Sequence, residues 1–143
     1  MKAIDMDAIN IRPMVTGDIA PTLNIWWTDV PGKEMLVSQM GGRFDLSLIA
    51  EYKGNLVGFA LARLIYAGLP MTAVAVIFFI SVKPEYQKQG VGSLLISTLK
   101  NNCKAAGIKT VRALVPKNDT VMQQYFKKAG FKPSMIINLD SPV

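Results

Sequence analysis

The feature that most constrains the fold is a stretch of 19 residues without a charge, from Leu64 to Val82. A charge-free stretch of this length is either a membrane-spanning helix or a pair of buried strands. Gly68-Leu69-Pro70 interrupts it, and Val, Ile, Phe and Thr, which favour strands, dominate its second half. We therefore predict two buried strands joined by a turn, in a cytoplasmic protein without a membrane span.

Alternating apolar residues and turn signals predict further strands before this stretch. Pro13 ends the alternation of a first strand, and Lys53-Gly54-Asn55 is a hairpin signal between two others. The second half of the charge-free stretch lacks alternation, which indicates a strand buried on both faces. The strands expected in this half are Ile9–Met14, Asp45–Tyr52, Leu56–Tyr66 and Thr72–Val82.

Helical periodicity and capping residues predict the helices. Thr16-Gly17-Asp18 is a helix-start signal, and a second short helix is expected from Glu34 to Met40. Apolar residues at three- and four-residue steps predict an amphipathic helix over 91–106, ended by Gly107. A last helix is expected to begin at a cap, Asn118 or Asp119, and to end near Ala129.

The order of these elements predicts the fold class. Strands expected over Ile108–Val115 and Phe131–Leu139 follow the two C-terminal helices. A mixed sheet with helices on its faces accommodates this order, and 143 residues correspond to one domain. We therefore expect an α/β protein with a central mixed sheet, in a single domain of residues 1–143.

Composition excludes several classes of protein and site. Half of the residues are apolar and 18% are charged, which argues against disorder. The single cysteine, Cys103, and the lack of histidine exclude an internal disulfide, a zinc-type ligand cluster and a His-dependent nucleophile. Cys103 lies beside the apolar stripe of its helix, so we expect a buried small apolar residue there rather than an acyl carrier.

The net charge of +6 is concentrated in the C-terminal part of the chain. Residues 1–82 hold six Lys/Arg and seven Asp/Glu, and residues 83–143 hold ten and three. A field of this kind attracts a polyanion, such as a phosphate-bearing cofactor or nucleic acid, or it belongs to a solvated basic face. Charge alone leaves these alternatives open.

The segment Ile80–Gly92 carries the chemistry. A buried strand ends there, a polar turn follows, and an amphipathic helix begins at two closely spaced glycines. Unpaired N–H groups at a helix N-terminus suit a phosphate, and Gly90 and Gly92 allow a bulky pyrophosphate to approach the backbone. The segment is neither a Walker A loop nor a dinucleotide fingerprint, because position 95 is Leu95 instead of glycine.

At this point the sequence resembles the GNAT superfamily of acetyl-CoA-dependent N-acetyltransferases. Gln87-Lys88-Gln89-Gly90-Val91-Gly92 matches the family's (Arg/Gln)-x-x-Gly-x-(Gly/Ala) loop, and Tyr125–Phe131 is similar to its terminal segment. Ile11-Arg12-Pro13 with Asp18 resembles the family's opening. The resemblance covers nearly the whole chain, which in length and layout resembles ribosomal-protein alanine acetyltransferases. It implies the GNAT fold, with a mostly antiparallel sheet.

The resemblance also implies a coenzyme A site without a metal. The strand end would separate from the next strand and pair with the pantetheine arm, and the loop amides would hold the pyrophosphate. Asn118 and Tyr125 have the family's seven-residue spacing. The implied cofactor-binding residues are Ile80, Ser81, Val82, Gln87, Lys88, Gln89, Gly90, Val91, Gly92, Ser93, Asn118 and Tyr125.

The implied reaction is direct acetyl transfer from the thioester to an amine of a small molecule or a peptide or protein N-terminus. The Val82 N–H is a candidate oxyanion donor and Tyr125 the candidate acid for the leaving thiolate. A second spacing, four residues before the Gly of the final Gly-Phe, places Phe126 instead at the family's Tyr position. Tyr125 is the expected acid, and packing beside Phe126 is the alternative.

The general base is not evident from the sequence. In ribosomal-protein alanine acetyltransferases a Glu often stands five residues before the position that matches Asn118. That position is Ala113 here, and the central strand contains no acid. Glu51 is the candidate that we carry forward, with Glu34 and Asp45 as further candidates and a surface role as the alternative for each. A water chain, or an amine that arrives neutral, would also serve.

Two rival functions remain at the level of sequence. The missing carboxylates are compatible with a non-catalytic acyl-CoA-binding module that senses or regulates. A nucleic-acid-binding domain is disfavoured, because no aromatic residues interleave with a basic face and no helix-turn-helix or zinc signature is present. We expect no nucleic-acid or membrane partner. A homodimer is compatible with the sequence, with Met135 to Leu139 pairing across the interface.

Overall fold

The fold is built on a mixed sheet in the residues that the computed structural model describes, 1–26, 41–42 and 45–143. The strands lie side by side in chain order. The first four pair antiparallel, and the fifth runs parallel to the fourth, so the expected mixed, mostly antiparallel sheet is confirmed. The strands are β1 (Ile9–Pro13), β2 (Leu48–Tyr52), β3 (Asn55–Ala67), β4 (Thr72–Val82) and β5 (Val111–Ala113).

Three helices accompany the sheet in the described residues. They are α1 (Ile19–Trp26), which follows a short 3-10 turn, α2 (Val91–Ala105) and α3 (Thr120–Lys128). The predicted ends of α2 and α3 agree with these bounds within two residues. The helix expected from Glu34 to Met40 lies outside the described residues.

The charge-free stretch forms parts of two strands, as expected. It begins within β3 and ends with β4, and the two strands pair antiparallel along their length. Among the described residues, no helix is long and apolar enough to cross a membrane. The preceding hairpin also follows its sequence signal, because Lys53 and Gly54 have φ angles of 51° and 79°, and two positive φ angles give the turn that matches strand twist.

The larger core lies between the sheet and helices α2 and α3. Small residues on the strands, such as Ala60 and Ala75, are almost fully buried against the helices. Leu95, Leu99 and Cys103 fill this layer from α2. Cys103 is 2% exposed, and burial raises the pKa of its thiol, so the expectation of a buried apolar cysteine is confirmed.

A smaller cluster lies on the opposite face of the sheet. Ile49, Phe59 and Leu61 are buried there, with Met14 and Leu56 packed against them. The two faces alternate along β2 and over residues 59–62 of β3, as side chains of a regular strand do.

Of the two strands predicted in the C-terminal part, one is shorter than expected and the other is wrong. The strand expected over Ile108–Val115 is reduced to Val111–Ala113, and Phe131–Leu139 forms no strand. A strand exists only where a partner supplies its ladder of hydrogen bonds, and β5 offers an edge of three residues. Alternating apolar residues predicted a strand for which the described chain supplies no partner.

Candidate active site

Strands β4 and β5 separate at one end of the sheet. They pair only from Ala75 to Ile77 on β4, opposite Val111 to Ala113. Directly beyond Ile77 the β3–β4 register shifts, and Phe78 is the extra residue of a β-bulge. A bulge bends its strand and increases the local twist. The last part of β4, residues 78–82, therefore has no paired strand on its β5 side among the described residues, and we call this side the β4–β5 gap. The lack of pairing agrees with the separation expected at Ile80–Val82.

Backbone groups of β4 point into this gap. The Lys83 N–H donates to the Val57 carbonyl across β3 at 2.8 Å. Neighbouring residues of a strand direct their backbone groups to opposite sides, so Ile80 and Val82 direct theirs away from β3. The Val82 carbonyl accepts a hydrogen bond from Gln87 Nε2 at 2.9 Å. The Val82 N–H and both backbone groups of Ile80 are thus oriented toward the gap.

The β4–α2 loop (Lys83–Gly90) leads from the gap to the start of α2. It begins with a 3-10 turn over Pro84–Tyr86. Lys88 and Gly90 then have φ angles of 62° and 101°. This conformation is uncommon for a lysine, whereas glycine adopts it without a steric cost. Two left-handed residues so close together turn the chain sharply into the helix.

Helix α2 begins without a side-chain cap. Its N-cap is Gly90, and the first bond within the helix runs from the Leu94 N–H to the Gly90 carbonyl at 3.0 Å. The amides of Val91, Gly92 and Ser93 therefore have no acceptor within the helix. At the positive end of a 15-residue helix, such amides form a site for an anion.

Helix α3 brings the Tyr125 hydroxyl to this helix start. A Cβ atom built on Gly92 would overlap with Tyr125 Oη and lie 3.2 Å from Cζ. The hydroxyl thus occupies space that any other residue at position 92 would fill. Tyr125 is half-buried, and burial raises the pKa of its hydroxyl. The phenol is therefore protonated at neutral pH and can donate a proton.

The next residue, Phe126, belongs to the core. It is 6% exposed and packs edge-to-face against Phe131, with ring centroids 5.1 Å apart. Its ring also meets Tyr125 at 5.3 Å, so the expected aromatic contact is present together with the Gly92 contact. Tyr125, unlike Phe126, carries a polar side-chain atom, and this hydroxyl lies at the start of α2.

Asn118 and Asp119 lie in the turn before α3. Asp119 is the N-cap, and its Oδ1 accepts a hydrogen bond from the Met122 N–H at 3.1 Å. Asn118 precedes the cap with an exposed side chain. The structure thus decides between the two predicted caps, and the cofactor contact expected of Asn118 stays a prediction.

Arg12 forms hydrogen-bonded ion pairs with two carboxylates, Asp18 and Glu51. Its guanidinium donates to both oxygens of Asp18 at 2.7 Å and to Glu51 Oε1 at 2.5 Å. The hydrogen bond from Arg12 holds the pKa of Asp18 below its usual value. Glu51 lies on β2, which is two strands and about 10 Å from β4 at the usual strand spacing. The structure does not bring Glu51 together with Tyr125 and Gly92.

Asp45, the further candidate base among the described residues, contributes no group to the gap. Asp45 accepts hydrogen bonds from the amides of Gly41, at 2.7 Å, and Ser47, at 2.9 Å, so its carboxylate closes a local turn. Asp45 also lines a cavity beside Val15 and Thr16. Glu34 lies outside the described residues.

A profile of the acetyltransferase (GNAT) family matches residues 17–131, which is most of the chain. The chain belongs to the acetyltransferase (GNAT) family.

Individual GNAT relatives have modest sequence identity to this chain and match only part of it. The [ribosomal protein bS18]-alanine N-acetyltransferase of Haemophilus ducreyi is 27% identical over 99 residues, 69% of this chain and 63% of that protein. An amino-acid acetyltransferase of Pseudomonas syringae is 36% identical over 62 residues, 43% of this chain and 13% of that protein. The chain thus spans less than two thirds of the length of the curated relatives that it matches.

Solved structures share the fold of this GNAT chain. The ribosomal-protein-alanine N-acetyltransferase of Brucella melitensis has a TM-score of 0.76 at 16% identity, covering 95% of this chain and 99% of that chain. An aminoglycoside N-acetyltransferase in complex with CoA has a TM-score of 0.77 at 17% identity, covering 94% of each chain. These likenesses agree with the expected GNAT fold.

Sequence reasoning missed the bulge of this GNAT chain and its aromatic surroundings. The expectation that Thr72–Val82 is buried on both faces is wrong for Phe78 and Phe79, which are 44% and 37% exposed. The Phe79 ring stacks on Phe59 with centroids 5.7 Å apart. A bulge has no local signal in an apolar run, because it depends on how β3 and β5 pair with β4.

Proposed function

We propose that this protein is an acetyl-CoA-dependent N-acetyltransferase that moves the acetyl group directly to a primary amine. The observation that carries the proposal is the meeting of three features. The β4–β5 gap, the uncapped start of α2 and the Tyr125 hydroxyl lie together. A thioester at this point would have backbone partners for its arm, amides for its phosphates and a proton donor near its sulfur.

Coenzyme A would lie along the gap and end on the loop. Ile80 would pair with the pantetheine arm, the side chain of Ser81 would line it, and Val82 would meet the acetyl carbonyl through its N–H. Loop and helix amides would hold the pyrophosphate, supported by the excess of positive charge in residues 83–143. The proposed cofactor-binding residues are Ile80, Ser81, Val82, Gln87, Lys88, Gln89, Gly90, Val91, Gly92, Ser93, Asn118 and Tyr125.

The transfer would need no covalent enzyme intermediate. The amine nitrogen attacks the thioester carbonyl carbon, and the C–N bond forms while the carbonyl oxygen becomes an oxyanion. The Val82 N–H, which is oriented toward the gap, would stabilise this oxyanion. The C–S bond then breaks, the thiolate takes the Tyr125 proton, and the nitrogen loses a proton to give the amide.

The nitrogen's proton leaves through water, or the amine arrives neutral. Among the described carboxylates, Asp18 and Glu51 are engaged by Arg12, and Asp45 by backbone amides. Glu51 would act as a base only if the acceptor displaced Arg12 from it. A rate limited by the neutral amine rises with pH until the amine is deprotonated, which distinguishes this route from a buried carboxylate base.

The acceptor is proposed as a class, a primary amine. Relatives and structural neighbours are named for alanine of a ribosomal protein, for amino acids and for aminoglycosides. The alignment with the ribosomal-protein enzyme covers more of this chain than the amino-acid enzyme does. We therefore place a peptide or protein N-terminus first in the test.

A panel of amines tests the function. Purified protein is incubated with acetyl-CoA and an alanine-terminated peptide, an amino acid or an aminoglycoside, and coenzyme A release and product mass are followed. The same peptide with a blocked N-terminus is the matched control. Acetylation of any free amine, absent from the blocked peptide, is expected. Acetyl-CoA binding without a product from any amine would favour the non-catalytic acyl-CoA-binding module instead.

A further inference from the structure

The N-terminal segment (Lys2–Met6) lies against the β4–α2 loop. The Lys2 N–H donates to the Glu85 carbonyl at 2.6 Å. The Gln89 side chain continues this pairing, since its Oε1 accepts from the Ile4 N–H at 3.0 Å and its Nε2 donates to the Lys2 carbonyl at 2.6 Å. The carbonyl of one residue and the N–H of the second residue after it are the groups that a neighbouring strand binds. The carboxamide of Gln89 therefore acts as a strand partner.

Apolar and aromatic contacts reinforce the hydrogen bonds. Ile4 and Met6 are partly buried against the main core. A Cβ atom on Gly90 would lie 3.5 Å from the Met6 methyl carbon, so this side chain covers the loop where α2 begins. Lys2 Nζ lies 5.9 Å from the ring centroid of Tyr86. The segment thus contacts the loop from its 3-10 turn to its last glycine.

Gln89 stands at the point of the loop where the backbone is most constrained. It lies between Lys88 and Gly90, the two residues with positive φ. Both ends of its side-chain amide are engaged by the N-terminal segment, at the Ile4 N–H and the Lys2 carbonyl. The neighbouring amides of the helix start are the groups that the proposed function requires to be in place.

We propose that Gln89 is a positioning residue, which clamps the β4–α2 loop to the N-terminal segment and so holds the amides at the start of α2 ready for pyrophosphate. The pyrophosphate part rests on the proposed function. The clamp itself rests on the contacts of Lys2, Ile4 and Met6. Affinity for coenzyme A is therefore expected to depend on residues 2–6, although they lie outside the loop motif.

The test uses Gln89→Met, which keeps the length of the side chain and removes both hydrogen bonds. Deletion of residues 2–4 removes the same bonds from the other side. Each change is expected to raise the KM for acetyl-CoA about five- to tenfold, with kcat at saturation unchanged. In the chain that lacks residues 2–4, Gln89→Met is expected to raise the KM for acetyl-CoA no further, because the two changes remove the same interaction. Gln124→Met, on the exposed side of α3, is the matched control and should behave as wild type.

Hydrogen exchange of the ligand-free protein separates the clamp from the function. The Lys2 and Tyr86 amides, which donate to Glu85 and Lys83 carbonyls, are expected to exchange faster in Gln89→Met. Unchanged exchange and an unchanged KM would overturn the proposal, and so would additive effects of the two changes. If wild-type protein binds no acetyl-CoA, the proposed function and the pyrophosphate part fail together, and the exchange result alone decides the clamp.

Discussion

At the scale of single residues, Gly92 and Tyr125 depend on each other. The Tyr125 hydroxyl occupies the place where a side chain at position 92 would begin. The family's loop allows Gly or Ala at this position, and here only Gly leaves room for the phenol. The glycine thus serves the proposed proton donor as well as the approach of a phosphate.

Tyr125→Phe tests the proton donor. Loss of the hydroxyl is expected to lower kcat about 100-fold, with little change in the KM for acetyl-CoA, because the donor acts on the leaving thiolate and not on the bound cofactor. Steady-state kinetics with the acceptor found in the panel would measure both constants. Tyr66→Phe, at an exposed tyrosine of β3, is the matched control.

Gly92→Ala provides a cross-check on the same role. The new methyl group would displace the Tyr125 hydroxyl and lower kcat. In the Tyr125→Phe background, where the closest overlap is gone, Gly92→Ala should lower kcat much less. A Tyr125→Phe enzyme with wild-type kcat would assign the proton to water, and equal losses from Gly92→Ala in both backgrounds would disconnect the two residues.

Single residues were predictable where their role is local. Asp119 as one of two caps and Cys103 as a buried apolar residue follow from sequence spacing alone, and the structure agrees. Tyr125 was singled out by its spacing, but its contact with Gly92 joins positions 33 residues apart. The base could not be identified from the sequence, because position 113 and the central strand hold no acid. The ion pair of Arg12 with the candidate Glu51 joins positions 39 residues apart, which no local pattern predicts.

At the scale of elements, features that depend on neighbouring residues were predicted correctly, and features that depend on strand pairing were not. The β2–β3 turn and α2 were predicted to within one residue, because turn chemistry and periodicity depend on neighbouring residues, whereas β2 begins three residues later than expected. The length of β5 depends on where β4 leaves it, and that is set by the bulge at Phe78. The strand expected over Phe131–Leu139 also depends on a partner, because the residues of this segment do not show whether a free sheet edge is available to pair with it.

Lys100 connects α2 to the end of α3. Its Nζ donates to the Ala129 carbonyl at 2.7 Å and lies 4.8 Å from the Phe131 ring centroid. A cation at a helix C-terminus is stabilising, so Lys100→Met should lower the free energy of unfolding by about 1 kcal/mol and the Tm by about 3 °C. Thermal unfolding of this variant beside Lys109→Met, at an exposed lysine, measures the difference. Equal Tm values for the two variants would show that the contacts of Lys100 at the end of α3 do not stabilise the protein.

At the scale of the whole molecule, the C-terminal segment leaves apolar surface uncovered. Met135, Ile137 and Leu139 are 101%, 78% and 87% exposed, and Leu114 beyond β5 is 51% exposed. An apolar segment with strand-like alternation beside an open sheet edge is a surface that another chain can cover. The homodimer that the sequence allows stays a prediction, with this segment as its interface.

Ile137→Lys tests this interface. A charge in the segment should shift the protein toward a monomer, because lysine resists burial between two copies. Sedimentation over a range of protein concentrations is expected to show a concentration-dependent dimer for wild type and a monomer for the variant. Val121→Lys, at an exposed valine of α3, is the control. A wild-type monomer at all concentrations would contradict the prediction.

The central claim is that the β4–β5 gap and the start of α2 bind acetyl-CoA. Thermal unfolding of wild-type protein with and without acetyl-CoA tests it most directly, because a ligand of the native state adds about 2.7 kcal/mol at 100 times its dissociation constant. A domain of this size should then show a Tm rise of several degrees, shared by coenzyme A and reduced in Gly92→Val. An unchanged Tm at millimolar acetyl-CoA would contradict the account.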